Sequence, residues 1–274
     1  MVRLLLFAGS QSPLPIRYPH PDKPRLTLPP LVHRSLHTAL DAAPPSALFS
    51  DDLLSIPQPG TLHKHEPETD HDATVKVQVC AGATDYLAAI EEALGTVARV
   101  KGLSVVETAL VGLPAGTGTD EWNTIWCALG GIGGASVAKW GTIGLDAEQL
   151  SKLDGKPVVN EINVTDCATL PKEFTAFARE RGMHLWASGG GAGPEPLPSA
   201  DLHNLLSEFQ PKLAALAPTA NTQPLAQLIT VTPEGMYENA VPGVRVRWVV
   251  TYTLVSRTRN IVKDKGFIVA ADFA

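Results

Sequence analysis

The sequence predicts an α/β fold made of parallel strand–helix units, and two observations support this. Short apolar runs alternate with amphipathic helical segments from Thr74 to Ala187. The helical segments end at glycines, and a new apolar run begins within a few residues of each glycine. Such alternation is typical of parallel βα units, and it fits either a (β/α) barrel or a doubly wound sheet.

The individual elements follow from hydrophobic periodicity. Val75, Val77 and Val79 alternate with polar neighbours, as in a strand. After a cap at Thr84 or Asp85, apolar residues recur at helical spacing. The further predicted elements, in chain order, are a strand over 103–111, a helix from Thr119 to Gly130, a strand over 137–143, a helix from Asp146 to Gly155, a strand over 157–164, a helix from Pro171 to Gly182 and a strand over 184–187.

Outside this region the chain has fewer regular signals. Residues 2–8 read as a first strand, and prolines then exclude regular structure until a helix over 31–40. We expect a single domain over 1–274, which the resemblance described below implies to be barrel-like. Its predicted parts are the first strand and helix (1–42), a loop (43–73), the strand–helix units (74–187), a loop-rich insertion with a helix (188–243) and a C-terminal segment (244–274).

The C-terminal segment predicts a hairpin. Residues 248–257 are a run of Val, Thr and Tyr, and these side chains favour a pleated strand. Arg259 and Asn260 suit a turn, and a second β-branched run continues to Val269. We therefore expect a β-hairpin-like end.

Composition excludes several classes of protein. Of the 274 residues 44% are hydrophobic, and 22 Lys and Arg against 28 Asp and Glu give a net charge of -6. The basic residues form no concentrated stripe except the short run from Arg257 to Lys265, so an acidic chain of this kind is not expected to bind nucleic acid. No apolar stretch approaches the roughly 20 residues that cross a bilayer, so we expect no membrane contact and a cytoplasmic protein. Three scattered cysteines exclude a disulfide framework, and Cys80 and Cys127 are expected to be buried.

Two familiar kinds of site fail on spacing. The run from His63 to Asp72 is rich in His, Asp and Glu, but Thr69 occupies the place of the second histidine of H-E-x-x-H. The glycine-rich segment from Gly130 to Gly134 has Ser136 where a dinucleotide fingerprint needs glycine. We expect neither a metal nor a nucleotide at these segments.

Three stretches of the chain carry a family pattern in the same order: 141–150, 159–167 followed by 170–178, and 247–269. These stretches resemble the regulatory (modifier) subunits of glutamate–cysteine ligase. The resemblance implies the (β/α)8 TIM-barrel-like fold of the aldo-keto reductases, to which these subunits are related. It also implies a non-catalytic, cytoplasmic subunit of a heterodimer in glutathione biosynthesis. Such a subunit binds the ligase's catalytic subunit, improves its use of glutamate and weakens feedback inhibition by glutathione.

The alternative function is an NADP-dependent oxidoreductase of the aldo-keto reductase type. Such an enzyme needs an acidic tyrosine, a lysine that lowers its pKa, a histidine and an aspartate. By the resemblance the lysine falls at Cys80, Ala81 and Gly82, and the histidine falls at Gly112. The sequence therefore predicts no catalytic residues.

The remaining site candidates come from the same resemblance. Lys263 and Lys265 are the candidate contacts for a cofactor phosphate, although we expect surface charges there and no cofactor, NADPH included. Cys167 lies where the family pattern carries a cysteine, after a strand end that would open onto the barrel mouth. We expect Cys167 to be a partner contact or a redox link, with a buried and inert thiol as the alternative.

Overall fold

The computed structural model describes residues 2–9, 24–50, 52–58, 71–164, 170–188, 195–216 and 243–273, and for 24–27 it describes the backbone alone. The ten strands are β1 Arg3–Gly9, β2 Leu48–Ser50, β3 Leu53–Ile56, β4 His71–Val79, β5 Val105–Gly112, β6 Ser136–Ile143, β7 Val159–Asn163, β8 His184–Ser188, β9 Val244–Ser256 and β10 Val262–Phe273. The helices are α1 Pro24–Asp41, α2 Tyr86–Lys101, α3 Thr119–Ala128, α4 Ala147–Lys152, α5 Lys172–Glu180, α6 Ser199–Glu208 and α7 Gln210–Leu216. Within these ranges no helix has the length and apolar character needed to cross a membrane.

The predicted strand–helix units between β4 and β8 are confirmed, and their helices begin at the expected residues. Asp85 caps α2 by accepting a hydrogen bond from the backbone N–H of Ala88. Asp146 and Gln149 form a reciprocal capping box at the start of α4. At the other end of α2, Gly102 takes a left-handed conformation with φ of 68°, which stops the helix.

All ten strands form one sheet in the order β2-β3-β1-β10-β9-β4-β5-β6-β7-β8. The strands β4 to β8 are parallel to one another. By contrast, β9 is antiparallel to β4 and β10, and β10 is antiparallel to β1.

The mixed α/β class is therefore right, but the (β/α)8 barrel implied by the resemblance is not confirmed. A barrel of that type has eight parallel strands in a closed ring. Among the described residues the sheet is open, with β2 and β8 at its two ends. The physical reason is the antiparallel pair of β9 and β10, which separates β1 from the parallel strands.

The hairpin-like C-terminal end is confirmed. The strands β9 and β10 pair antiparallel along most of their length, and Asn260 adopts a φ of 51° in the connecting turn. A register shift lies where Trp248 pairs with Ala270 and Val246 pairs with Ala271. This bulge makes Val246 and Trp248 face opposite sides of the sheet, because one extra residue reverses the alternation.

Two expectations for the N-terminal region are wrong. The loop expected over 43–73 contains β2 and β3, which add to the sheet beside β1. The helix expected from residue 31 begins at Pro24 and includes Pro29 and Pro30. Burial of Leu28, Val32 and Leu36 along one side of α1 explains this difference, because tertiary packing outweighs the local cost of proline.

Two apolar clusters cover the two faces of the sheet. One contains the inner sides of α2 and α3 together with Val75, Val77 and Trp248. The other joins β1, α1 and α6 to Val246 and Val249 of β9. Beside this second cluster, the same face of β4 carries polar side chains.

The helix α3 packs one side against the core and leaves another side exposed. Trp122 and Ile125 are buried, and Trp126 is half-buried against the same cluster. Cys80 is buried as predicted, but Cys127 is exposed and the expectation for it is wrong. The reason is helical geometry, since Cys127 lies on α3 away from Trp122 and Ile125.

Candidate functional site

A cavity of about 370 Å³ lies against the sheet at the carboxyl ends of its parallel strands. Ligands of α/β proteins commonly bind at this edge, because loops that follow the strands converge there. The polar side chains that line the cavity on the strands and their loops include Lys76, Gln78, Glu161, Asn163, Ser188 and Glu195. Its apolar lining includes Leu113, Trp122, Leu145 and Phe267.

An ion pair crosses the floor of the cavity. The ammonium group of Lys76 on β4 contacts the carboxylate of Glu161 on β7, although β5 and β6 lie between these strands. On a flat sheet the two strands would be about 14 Å apart, because neighbouring strands lie about 4.8 Å apart. The contact therefore requires a sheet that curves toward the cavity.

Small residues on this concave side allow the curvature. A Cβ atom at Gly141 of β6 would lie 2.5 Å from Cγ1 of Val159 and 2.6 Å from its carbonyl oxygen. Contacts that short do not occur in real structures, so β6 and β7 approach each other only because residue 141 lacks a side chain.

Gly112 has a different role, since it leaves room for the side chain of Gln78. A Cβ atom at Gly112 would lie 2.2 Å from Oε1 of Gln78. The amide nitrogen of Gln78 donates to the carbonyl oxygens of Val79 and Leu113, at 3.2 and 3.3 Å. At the place where the resemblance puts a reductase histidine, the cavity thus holds a glutamine amide that is fixed by the backbone.

The segment where the resemblance places a reductase lysine is packed closely against its neighbours. Burial raises the pKa of the Cys80 thiol well above its ordinary value, and the nearby Glu195 carboxylate adds to the effect. The N–H of Ala81 donates to Oε1 of Glu195 at 2.7 Å. A Cβ atom at Gly82 would lie 2.4 Å from the carbonyl oxygen of Val246.

A tyrosine, a lysine and an aspartate do meet elsewhere, on the opposite face of the sheet. Lys101 forms an ion pair of 2.9 Å with Asp264, and its ammonium lies 4.8 Å from the ring centre of Tyr252. All three side chains are buried. Burial raises the pKa of Tyr252, and the charge and hydrogen bond of Asp264 raise it further. The raised pKa makes this tyrosine a poor proton donor at neutral pH.

Of the sequence-predicted candidates that the structure describes, Lys263 and Lys265 are not among the residues that line the cavity. Cys167 lies outside the described residues, as do most of the residues from His63 to Asp72. Lys263 and Lys265 are exposed on β10, and Lys265 is two residues before the cavity-lining Phe267. No group of three or more His, Cys, Asp or Glu that suits a metal ion occurs in the described part of the chain.

The residues that do line the cavity had a detectable signal in the sequence. Parallel strands packed on both faces are mostly continuous apolar runs. Here Lys76 and Gln78 interrupt one predicted strand, and Asn160, Glu161 and Asn163 interrupt another. Asn160 is structural, because it accepts from Thr142 and donates to the carbonyl of Leu145 while fully buried.

Fold and cavity together define an α/β protein with a polar site at the carboxyl ends of parallel strands. No family model matches the chain. Among known proteins it is similar to the glutamate–cysteine ligase regulatory subunits of Mus musculus and Rattus norvegicus, each 22% identical over 232 residues. These alignments cover 80% of this chain and 74% of each relative. The regulatory subunit of Homo sapiens is 21% identical over the same shares of the two chains.

Proposed function

We propose that this protein is a non-catalytic regulatory subunit that binds the catalytic subunit of glutamate–cysteine ligase. The observation that carries the proposal is the similarity to ligase regulatory subunits over 80% of the chain. Ala81 and Gly112 at the reductase positions, with Gln78 beside Gly112, support a role without reductase chemistry.

Regulation of a partner enzyme has a simple thermodynamic requirement. The regulatory chain must bind one conformation of the catalytic subunit more tightly than another. If the favoured conformation binds glutamate more tightly, association increases the population that binds glutamate well. If the same conformation binds glutathione less tightly, more glutathione is needed to inhibit the enzyme. The energy of this coupling comes from the contact between the two chains, so the regulatory chain needs no catalytic group.

Co-elution on size-exclusion chromatography tests the proposal. The purified chain is mixed with the ligase catalytic subunit of the same organism, and we expect one peak at the mass of a heterodimer. The chain alone should form no γ-glutamylcysteine. Separate elution of the two proteins at micromolar concentration would contradict the proposed partnership.

The oxidoreductase alternative has its own readout. Lys265 is two residues before the cavity-lining Phe267 on β10, so the two lysines are the candidate contacts for a cofactor phosphate. The fluorescence of NADPH is therefore measured during titration with the wild-type chain and with the Lys263→Ala/Lys265→Ala double variant. We expect no change in fluorescence with either protein. A saturable change with the wild type that the double variant lacks would favour the reductase-like alternative.

Cys167 is proposed as the residue of any redox link between the two subunits. Cys167→Ser should leave binding to the catalytic subunit unchanged under reducing conditions, while it removes an oxidant-dependent covalent complex seen on non-reducing gels. Cys127→Ser is the matched control, since Cys127 is exposed on α3. A covalent complex that persists in Cys167→Ser and disappears in Cys127→Ser would assign the link to Cys127.

A further inference from the structure

We propose that the cavity binds the ammonium group of a small organic molecule, with Glu195 as its counter-ion. Neither the resemblance nor the names of similar proteins assign a ligand to this cavity. Its volume of about 370 Å³ lies within the range of small-molecule sites.

The charges of the lining residues favour a cation. Lys76 and Glu161 neutralise each other through their ion pair. Glu195 is the other lining carboxylate, and none of the ion pairs among the described residues includes it. A carboxylate in a partly enclosed site is stabilised by an opposite charge, so the lining is complementary to a positive group.

Glu195 is held in place for this role. Its Oε1 accepts a hydrogen bond from the backbone N–H of Ala81 at 2.7 Å. This bond joins the segment before α6 to the residues that follow β4. A carboxylate has about four acceptor positions, and the bond from Ala81 occupies one of them.

The cavity also provides neutral acceptors and an apolar wall. An ammonium group has three N–H donors that need acceptors when they leave water. Because the amide nitrogen of Gln78 donates to two backbone carbonyls, its oxygen is the atom that lies over Gly112. Trp122 and Leu145 line the same cavity and suit a short carbon chain.

Three probes of similar length separate charge from size. These are n-pentylammonium, the zwitterion norleucine and the anion hexanoate, each titrated into the full chain by calorimetry at low ionic strength. We expect n-pentylammonium to bind more tightly than hexanoate. Tighter binding of norleucine than of n-pentylammonium would assign the cavity to amino acids, with Lys76 beside the carboxylate, and the reverse order would assign it to simple amines.

Two variants locate the binding. Glu195→Gln keeps an oxygen for the N–H of Ala81 but removes the charge, so we expect affinity for n-pentylammonium to fall about tenfold or more. Ser188→Lys places a cation in the cavity without changing Glu195, and it should weaken ammonium binding as well. Glu180→Gln, at an exposed position of α5, is the control and should bind like the wild type.

The proposal would be overturned by hexanoate binding as tightly as n-pentylammonium, or by no binding of either ammonium compound at roughly millimolar concentration. Equal affinity of the wild type and of a folded Glu195→Gln or Ser188→Lys variant would also overturn it. Displacement of bound n-pentylammonium by NADPH would instead assign the cavity to a nucleotide. Ammonium binding needs no contact with the ligase, so its failure would leave the proposed partnership untouched.

Discussion

The buried ion pair of Lys101 and Asp264 gives the sharpest stability prediction. Their side chains are 6% and 3% exposed, and the charged atoms lie 2.9 Å apart. Lys101→Met removes the cation that contacts the buried carboxylate of Asp264. We expect a loss of about 3–5 kcal/mol in the free energy of unfolding, the usual cost of removing one partner of a buried pair.

A second substitution tests the physical reason. Asp264→Asn, added to Lys101→Met, removes the buried negative charge and keeps an oxygen for the hydroxyl of Tyr252. We therefore expect the double variant to be more stable than Lys101→Met alone. Urea unfolding followed by tryptophan fluorescence measures both.

Lys152→Met is the matched control for this pair. Lys152 contacts Glu148 one turn earlier on α4, and both side chains are more than half exposed. An exposed pair of this kind contributes about 0.3–0.5 kcal/mol. The reasoning fails if Lys101→Met costs no more than Lys152→Met, or if Asp264→Asn restores nothing.

Three further predictions concern packing, acid stability and thiol access. Gly141→Ala should cost about 1–3 kcal/mol in urea unfolding because its Cβ overlaps β7, whereas Gly130→Ala, with open space around it, should be nearly neutral; equal losses would contradict the packing argument. Burial alone would raise the pKa of Glu92, but hydrogen bonds from Arg247 and Trp248 outweigh it and hold this pKa below its ordinary value of 4.5. The stability that Glu92 adds is therefore complete above about pH 4.5 and is lost as the pH falls through the lower pKa of the folded state. The free energy of unfolding of Glu92→Gln should therefore depend less on pH in this range, and an unchanged pH dependence would refute the argument. In the native protein a thiol reagent should modify the exposed Cys127 and leave the buried Cys80 unmodified. Modification of both cysteines at the same rate would contradict the burial of Cys80.

Local signals predicted much of the parallel half of the sheet. The capping residues Asp85 and Asp146 and the alternation of β4 depend on neighbours within a few residues, so they are visible in the sequence. The β-branched runs of β9 and β10 likewise predicted a hairpin. The position of that hairpin between β1 and β4 depends on contacts between distant residues, and no local pattern encodes it.

The cavity shows the same limit. Lys76 and Glu161 are 85 positions apart in the numbering, and they meet because the sheet curves across two intervening strands. Both residues are polar interruptions of buried strands in the sequence, but no local pattern pairs them. At the start of α1 the prolines predict irregular structure where the chain is helical. Burial of Leu28 and Val32 supports this helix, although local propensity disfavours it.

The glutamate dependence of the ligase tests the central claim most directly. The catalytic subunit is assayed for γ-glutamylcysteine formation over a range of glutamate concentrations, alone and with increasing amounts of this chain. We predict that the KM for glutamate falls and saturates at one chain per catalytic subunit, and that more glutathione is then needed for inhibition. An unchanged KM and an unchanged response to glutathione, with the chain present in excess and correctly folded, would contradict the proposal that it regulates this enzyme.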